Sequence, residues 1–179
     1  MANNVDLDRF EKTLQDGLVK ICSGRNLMSG MLESDDLEQK WNEYLQDYVS
    51  DAVVNFNRYP EAAIGFAGFL GMAVAHCWDE NWDIYKLVSY KDYYGSRGFD
   101  DMDDHIVEDI LKLDKDSAAK VIDTIKDCTL AAQGLIRHEF IEPQTADGFF
   151  VLVRCYTVLF RIGCSLELTR LGYKKQKLG

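Results

Sequence analysis

The stretch from Trp78 to His105 gathers seven aromatic residues, Trp78, Trp82, Tyr85, Tyr90, Tyr93, Tyr94 and Phe99, among Asp79, Glu80, Asp83 and Asp92 and four further aspartates that end at His105. Flat rings supply contact area at low entropy and carboxylates supply direction, which suits a polyol, a cation or a protein partner. The first six of these rings are the candidate ligand or partner surface, and Arg154 joins them as a candidate anion anchor. Within the aspartate run, Asp100, Asp101 and Asp104 read D-D-x-x-D. On a helix that spacing puts two carboxylates on one face, where oxygen ligands can hold magnesium. These three are the candidate metal ligands. A plainer reading stands beside each: an aromatic connector covering helix ends, and aspartates complementing a helix dipole.

The D-D-x-x-D pattern resembles the aspartate-rich motif of all-α prenyl transferases and terpene synthases, which bind diphosphate through magnesium. The resemblance covers five residues. Those enzymes are considerably longer and use a second metal-binding motif, for which this sequence has no counterpart.

Other chemistry is thinly represented. None of His76, His105 and His138 has a glutamate three residues before it, so the paired E-x-x-H of a di-iron bundle is absent. There is no H-E-x-x-H, no phosphate-binding G-x-x-x-x-G-K and no G-x-S-x-G. No cofactor is expected. His76 beside Cys77 is not a nucleophile and base, because helix neighbours point about 100° apart; a hydrogen-bonded histidine at the end of a core helix is expected. Arg154 and Arg161 lie two turns apart in an apolar run and need partners, such as Asp51 or Asp123, or a bound anion.

The elements that must position these residues are helical. Leu7, Phe10, Leu14, Leu18 and Ile21 form one stripe, stopped at Ser23-Gly24. Asp35 with Glu38 reads as a capping pair, and Leu37, Trp41, Tyr44, Tyr48, Ala52 and Phe56 form a second stripe, with Glu38, Gln39, Lys40 and Glu43 opposite. Pro60 opens a helix whose body, Ala62 to Trp78, is apolar all round. Gly65, Gly68 and Gly71 recur every third residue, implying close approach of a neighbouring helix or a ligand. Asn81 is placed as the cap of a short helix over Ile84, Leu87 and Val88. A helix over Met102, Ile106, Ile110 and Leu113 follows, then one over Val121, Ile125, Cys128 and Ala132. The last runs from Thr145 to Leu171 and is stopped by Gly172.

No strand alternation appears, so the expected fold is all-α: a compact bundle of six or seven helices in one domain, 1–179, with 60–78 and 145–171 central. The pattern P-x-x-A-x-G-F occurs at Pro60 and again at Pro143, which would fit a weak duplication of 1–85 in 86–179.

Length and composition fit this picture. The 179 residues are 47% hydrophobic with only two prolines, so long helices meet few breakers. The net charge is −10, unevenly placed: residues 79–116 hold 12 acids against 5 bases, whereas 154–179 hold 1 acid and 6 bases, including Arg170, Lys174, Lys175 and Lys177. Such an acidic chain is repelled by phosphate, so nucleic acid is not an expected partner. Ala62 to Trp78 is too short and glycine-rich for a membrane span, and Met1 to Asp6 lacks the basic start of a secretory leader. Five cysteines, odd in number and without C-x-x-C, suggest reduced thiols and a cytoplasmic setting. The favoured expectation is a small acidic interaction protein, inhibitory or immunity-like, that binds a basic protein partner. The alternative is a metal-dependent hydrolase or ligand-binding bundle at Asp100, Asp101 and Asp104. Self-association fits either.

Overall fold

A computed structural model describes residues 5–56, 60–142, 145–174 and 177–178. Lys175 and Pro143, which opens the second copy of the P-x-x-A-x-G-F pattern, therefore lie outside the described residues. Six α-helices carry the fold: α1 (Leu7–Gly24), α2 (Asp35–Phe56), α3 (Pro60–Tyr85), α4 (Met102–His105), α5 (Lys115–His138) and α6 (Ala146–Arg170). A two-residue parallel pairing joins β1 (Glu33–Ser34) to β2 (Lys177–Leu178). The chain is all-α, with α3 and α6 at its centre.

The helix starts are written in side chains. Asp6 accepts from the Arg9 amide at 3.0 Å, Asp114 from Ser117 at 2.8 Å and Thr145 from Gly148 at 3.1 Å, each satisfying a donor that the first turn leaves open. At α2 the Leu37 amide points to Ser34 Oγ at 3.4 Å, and the Glu38 carboxylate reaches across to Arg161. Gly172, at φ +99°, ends α6 as expected.

One apolar core draws on every long helix, from Phe10 and Leu18 through Trp41 and Tyr48 to Leu70, Ile125 and Phe160. At its middle the backbones of α3 and α6 touch. A Cβ added at Gly163 would lie 1.9 Å from the Gly68 carbonyl oxygen, and one at Gly71 would lie 2.1 Å from the Phe160 carbonyl oxygen. Gly65 and Gly68 turn their open sides to Thr129 and Ile125 of α5. The three-residue glycine spacing thus seats α3 against two neighbours, and the close approach is helix against helix.

Three local expectations are corrected. Lys40, assigned to the polar face of α2, is buried because the end of α3 folds over it; its ammonium donates to the Lys86 carbonyl and to Glu43 at 3.0 Å. Asn81, at φ −168° and ψ 91°, breaks α3 into a long and a short piece, but the short piece stops at Tyr85. The helix from Met102 makes one α-turn and then a wider turn over Ile106–Ile110, and Lys112 at φ +52° reverses the chain. Among the described residues only α6 is long and apolar enough to cross a membrane, and 67% of its most apolar window is buried inside the protein.

Candidate functional site

Helix α3, its kink and the loop that follows divide the Trp78 to His105 segment into an inner and an outer part. Tyr90, Tyr93 and Phe99 are buried. Tyr90 and Tyr93 pack on Tyr44 at 6.0 and 6.1 Å, and Phe99 sits between Tyr48 and Phe66. As members of an outward-facing partner surface, Tyr90 and Tyr93 are therefore corrected, although Tyr93 also borders an inner cleft: the loop gains its core by turning these rings inward. Asp51 on α2 anchors them, accepting from the Tyr90 hydroxyl at 2.8 Å and from the Tyr94 hydroxyl. Burial pushes the phenols of Tyr90, Tyr93 and Tyr94 well above their ordinary value.

The outer part keeps the charge. Ten of the twelve acids of 79–116 are exposed; Asp101 is buried and Asp103 half-buried. Trp78 donates to Asp36 at 3.0 Å and packs at a tilt against Tyr173, whose hydroxyl donates to Asp79 at 2.6 Å. Trp82 and Tyr85 are half-exposed, with Ile84 and Leu87 standing out into solvent at 62% and 81% exposure. The exposed face is thus acidic, with an apolar ridge at the end of α3.

The aspartates of D-D-x-x-D have separate occupations. Asp101 folds back on the 95–98 loop, accepting from the Arg97 amide at 3.0 Å and Ser96 Oγ at 3.1 Å. Its carboxylate lies where a side chain on Gly95 would have to go. Asp100 is exposed on the preceding turn, and Asp104 borders a groove of about 310 Å³ between α3 and α5 with Phe66, Phe69 and Lys126. Among the described residues no three His, Cys, Asp or Glu side chains are grouped to hold a metal ion.

Arg154 and Arg161 are held in structural ion pairs as expected; Arg161 finds the second helix, though at Glu38 rather than Asp51, and both arginines find α1 rather than Asp123 of α5. Arg154 donates to Asp8 at 2.9 Å and Glu11 at 3.2 Å. Arg161 spans Glu11 at 3.0 Å and Glu38 at 2.7 Å. Asp51 is committed to the tyrosines, and α6 presents both arginines to α1, which it crosses. Arg154 is therefore far from the aromatic segment in function: it ties helices together.

A cleft of about 540 Å³ is bordered by His76, Cys77, Glu80, Tyr85, Tyr93, His105 and Asp109, among others; Tyr85 and Tyr93 are candidate residues, whereas sequence reasoning missed the two histidines. His76 Nδ1 donates to Glu167 Oε2 at 2.8 Å, and His105 Nδ1 donates to Asp109 at 2.8 Å. Glu167 is fully buried and also accepts from Arg170 at 2.6 and 2.7 Å. Each carboxylate fixes one ring nitrogen as donor, leaving Nε2 of both rings without a partner among the described residues and able to accept a hydrogen bond. Burial pushes the Cys77 thiol up to about 11, so it stays protonated near neutral pH and is no nucleophile. The signals were present: Asp109 stands four residues after His105, and Glu167 is the lone acid of 154–179, which a core helix must pair.

These features define a six-helix all-α protein with an acidic, aromatic-bearing connector. No family model matches the chain, and neither a curated protein nor a solved structure matches it.

Proposed function

We propose that the protein is a binding module that takes hold of a basic protein partner through the face built by 79–116, in the manner of an inhibitory or immunity protein. The observation that carries this is the separation within that segment: its aromatic anchors turn inward while ten of its acids stay exposed beside Trp82, Ile84 and Leu87. Clustered carboxylates steer a cationic surface, and an adjoining apolar ridge holds it once docked. The five free thiols, all buried, suit a reducing compartment such as the cytoplasm.

The test uses a lysine- and arginine-rich peptide as probe and two variants of equal charge change. One reverses Asp79, Glu80 and Asp83; the other reverses Asp16 on α1, Asp123 on α5 and Glu142 beyond it, all exposed and outside 79–116. The first variant is expected to lose about tenfold in affinity at low salt and the second about twofold. Equal losses would reduce the attraction to net charge and sink the reading.

A second reading, a ligand-binding bundle, is favoured by the cleft rather than by Asp100, Asp101 and Asp104. Its two imidazoles, each held by a carboxylate, would receive a small cationic or hydrogen-bonding ligand. Imidazole nitrogen resonances of His76 and His105 report this: shifts at both with an amine probe support it, and shifts at neither refute it.

A further inference from the structure

Two of the five thiols face each other. Cys22, in the last turn of α1, and Cys128, in the middle of α5, bring their sulfurs to 3.9 Å, and both are fully buried. Among the described residues no other pair of cysteine sulfurs is in contact. We propose that Cys22 and Cys128 form an oxidation site that closes to a disulfide when the protein meets hydrogen peroxide or a similar small two-electron oxidant.

The surroundings favour it in three ways. A disulfide needs sulfurs about 2.05 Å apart, so the pair must move together by only about 2 Å, within reach of small side-chain rotations. Arg25 clamps the same interface from one turn further along, donating to Thr124 Oγ1 at 3.0 Å and to Asp127. Arg25 therefore ties the two helices together beside the thiol pair. The thiols are also unequal. The hydrogen bond from Cys128 lowers the Cys22 thiol below its ordinary value, burial opposes this, and the Arg25 charge lowers it further. Its bond to Cys22 and burial push the Cys128 thiol up. Cys22 is the attacking sulfur and Cys128 the resolving one.

The chemistry balances. The Cys22 thiolate attacks one peroxide oxygen, the O–O bond breaks, and hydroxide leaves to take up a proton as water. The sulfenic acid so formed is attacked by the Cys128 sulfur, an S–S bond replaces the S–OH bond, and a second water leaves with the thiol proton. Two thiols are oxidised and one peroxide is reduced to two waters. Peroxide is little larger than water, and the end of a helix opens readily, which suits a buried attacking group.

The experiment treats the native full-length chain with hydrogen peroxide, quenches it, and maps peptides by mass spectrometry without reduction. The expected result is one intramolecular cross-link joining the peptides of Cys22 and Cys128, with loss of two hydrogens, reversal by a thiol reductant, and a Tm rise on the order of 10 °C. Cys22→Ser should lack it, while Cys155→Ser should retain it. Should Cys22→Ser fail to fold, the wild-type peptide map decides alone. A different pairing, a linkage between chains, sulfinic acid at Cys22 without a cross-link, or no oxidation of the folded protein would each overturn the proposal.

Discussion

Replacing Gly163 by alanine tests the centre of the structure with one methyl group. The added Cβ would stand 1.9 Å from the Gly68 carbonyl oxygen, where ordinary carbon–oxygen contacts are about 3.3 Å. Both atoms belong to backbone, so no side chain can swing aside. The helices must separate or slide by about 1.4 Å, and α3 and α6 then lose contact along their most extensive interface. Overpacking of this kind costs about 3 kcal/mol at the upper end of its range. Alanine returns up to about 1 kcal/mol as the better helix former. The expected net loss is about 2 kcal/mol, a fall in Tm of roughly 4–8 °C for a chain of this size. Gly17→Ala is the control: it lies inside α1, exposed, with nothing within 4 Å of the new methyl, and should gain about 0.5–1 kcal/mol. Urea unfolding followed by circular dichroism measures both, with the slope of the transition checking that only stability has changed. If Gly163→Ala proved as stable as wild type, or matched the control, the backbone contact argued here would be wrong.

Other perturbations give equally definite outcomes. The Tyr156 hydroxyl is buried without a hydrogen-bond partner among the described residues, so Tyr156→Phe should raise stability by about 1 kcal/mol in urea; a loss of that size would mean the hydroxyl is bonded. Glu167→Gln weakens the links to His76 and Arg170 and should cost about 1–2 kcal/mol, with loss of the downfield Nδ1 proton of His76 by NMR. Burial raises the phenols of Tyr48, Tyr90 and Tyr93 above their ordinary value. The unfolded chain then releases phenol protons first, so this stability is complete below about pH 10 and falls as pH rises above it. Ultraviolet titration should show these phenolates appearing together with unfolding, and their appearance in a folded chain would contradict the burial.

Periodicity carried most of the architecture. The stripes Phe10, Leu14, Leu18 and Leu37, Trp41, Tyr44, Tyr48 are buried as their spacing requires, and α3, apolar all round, has no place but the middle, beside a largely apolar α6. Gly65, Gly68 and Gly71 announced close packing, although their sequence does not say that α5 and α6 share the work. The failures lie where tertiary contact outweighs local pattern. Lys40 reads as a surface residue until α3 kinks at Asn81 and covers it. Tyr90 and Tyr93 read as surface anchors because nothing local shows that Asp51 and Tyr44, 39 and 49 residues earlier, are waiting for them. Partner choice for Arg154 and Arg161 likewise depends on which helices α6 crosses.

The contact between Gly68 and Gly163 also orders events during synthesis. Those residues are about 95 positions apart in the chain, so α3 emerges from the ribosome long before α6 exists to meet it. Until then a helix with no polar side must be shielded by partial collapse with α1, α2 and α5, or by a chaperone. Closing a loop of that length before the most rewarding contacts form slows the final step. The chain therefore commits to its native arrangement late, when α6 slides into the seat its glycine leaves open.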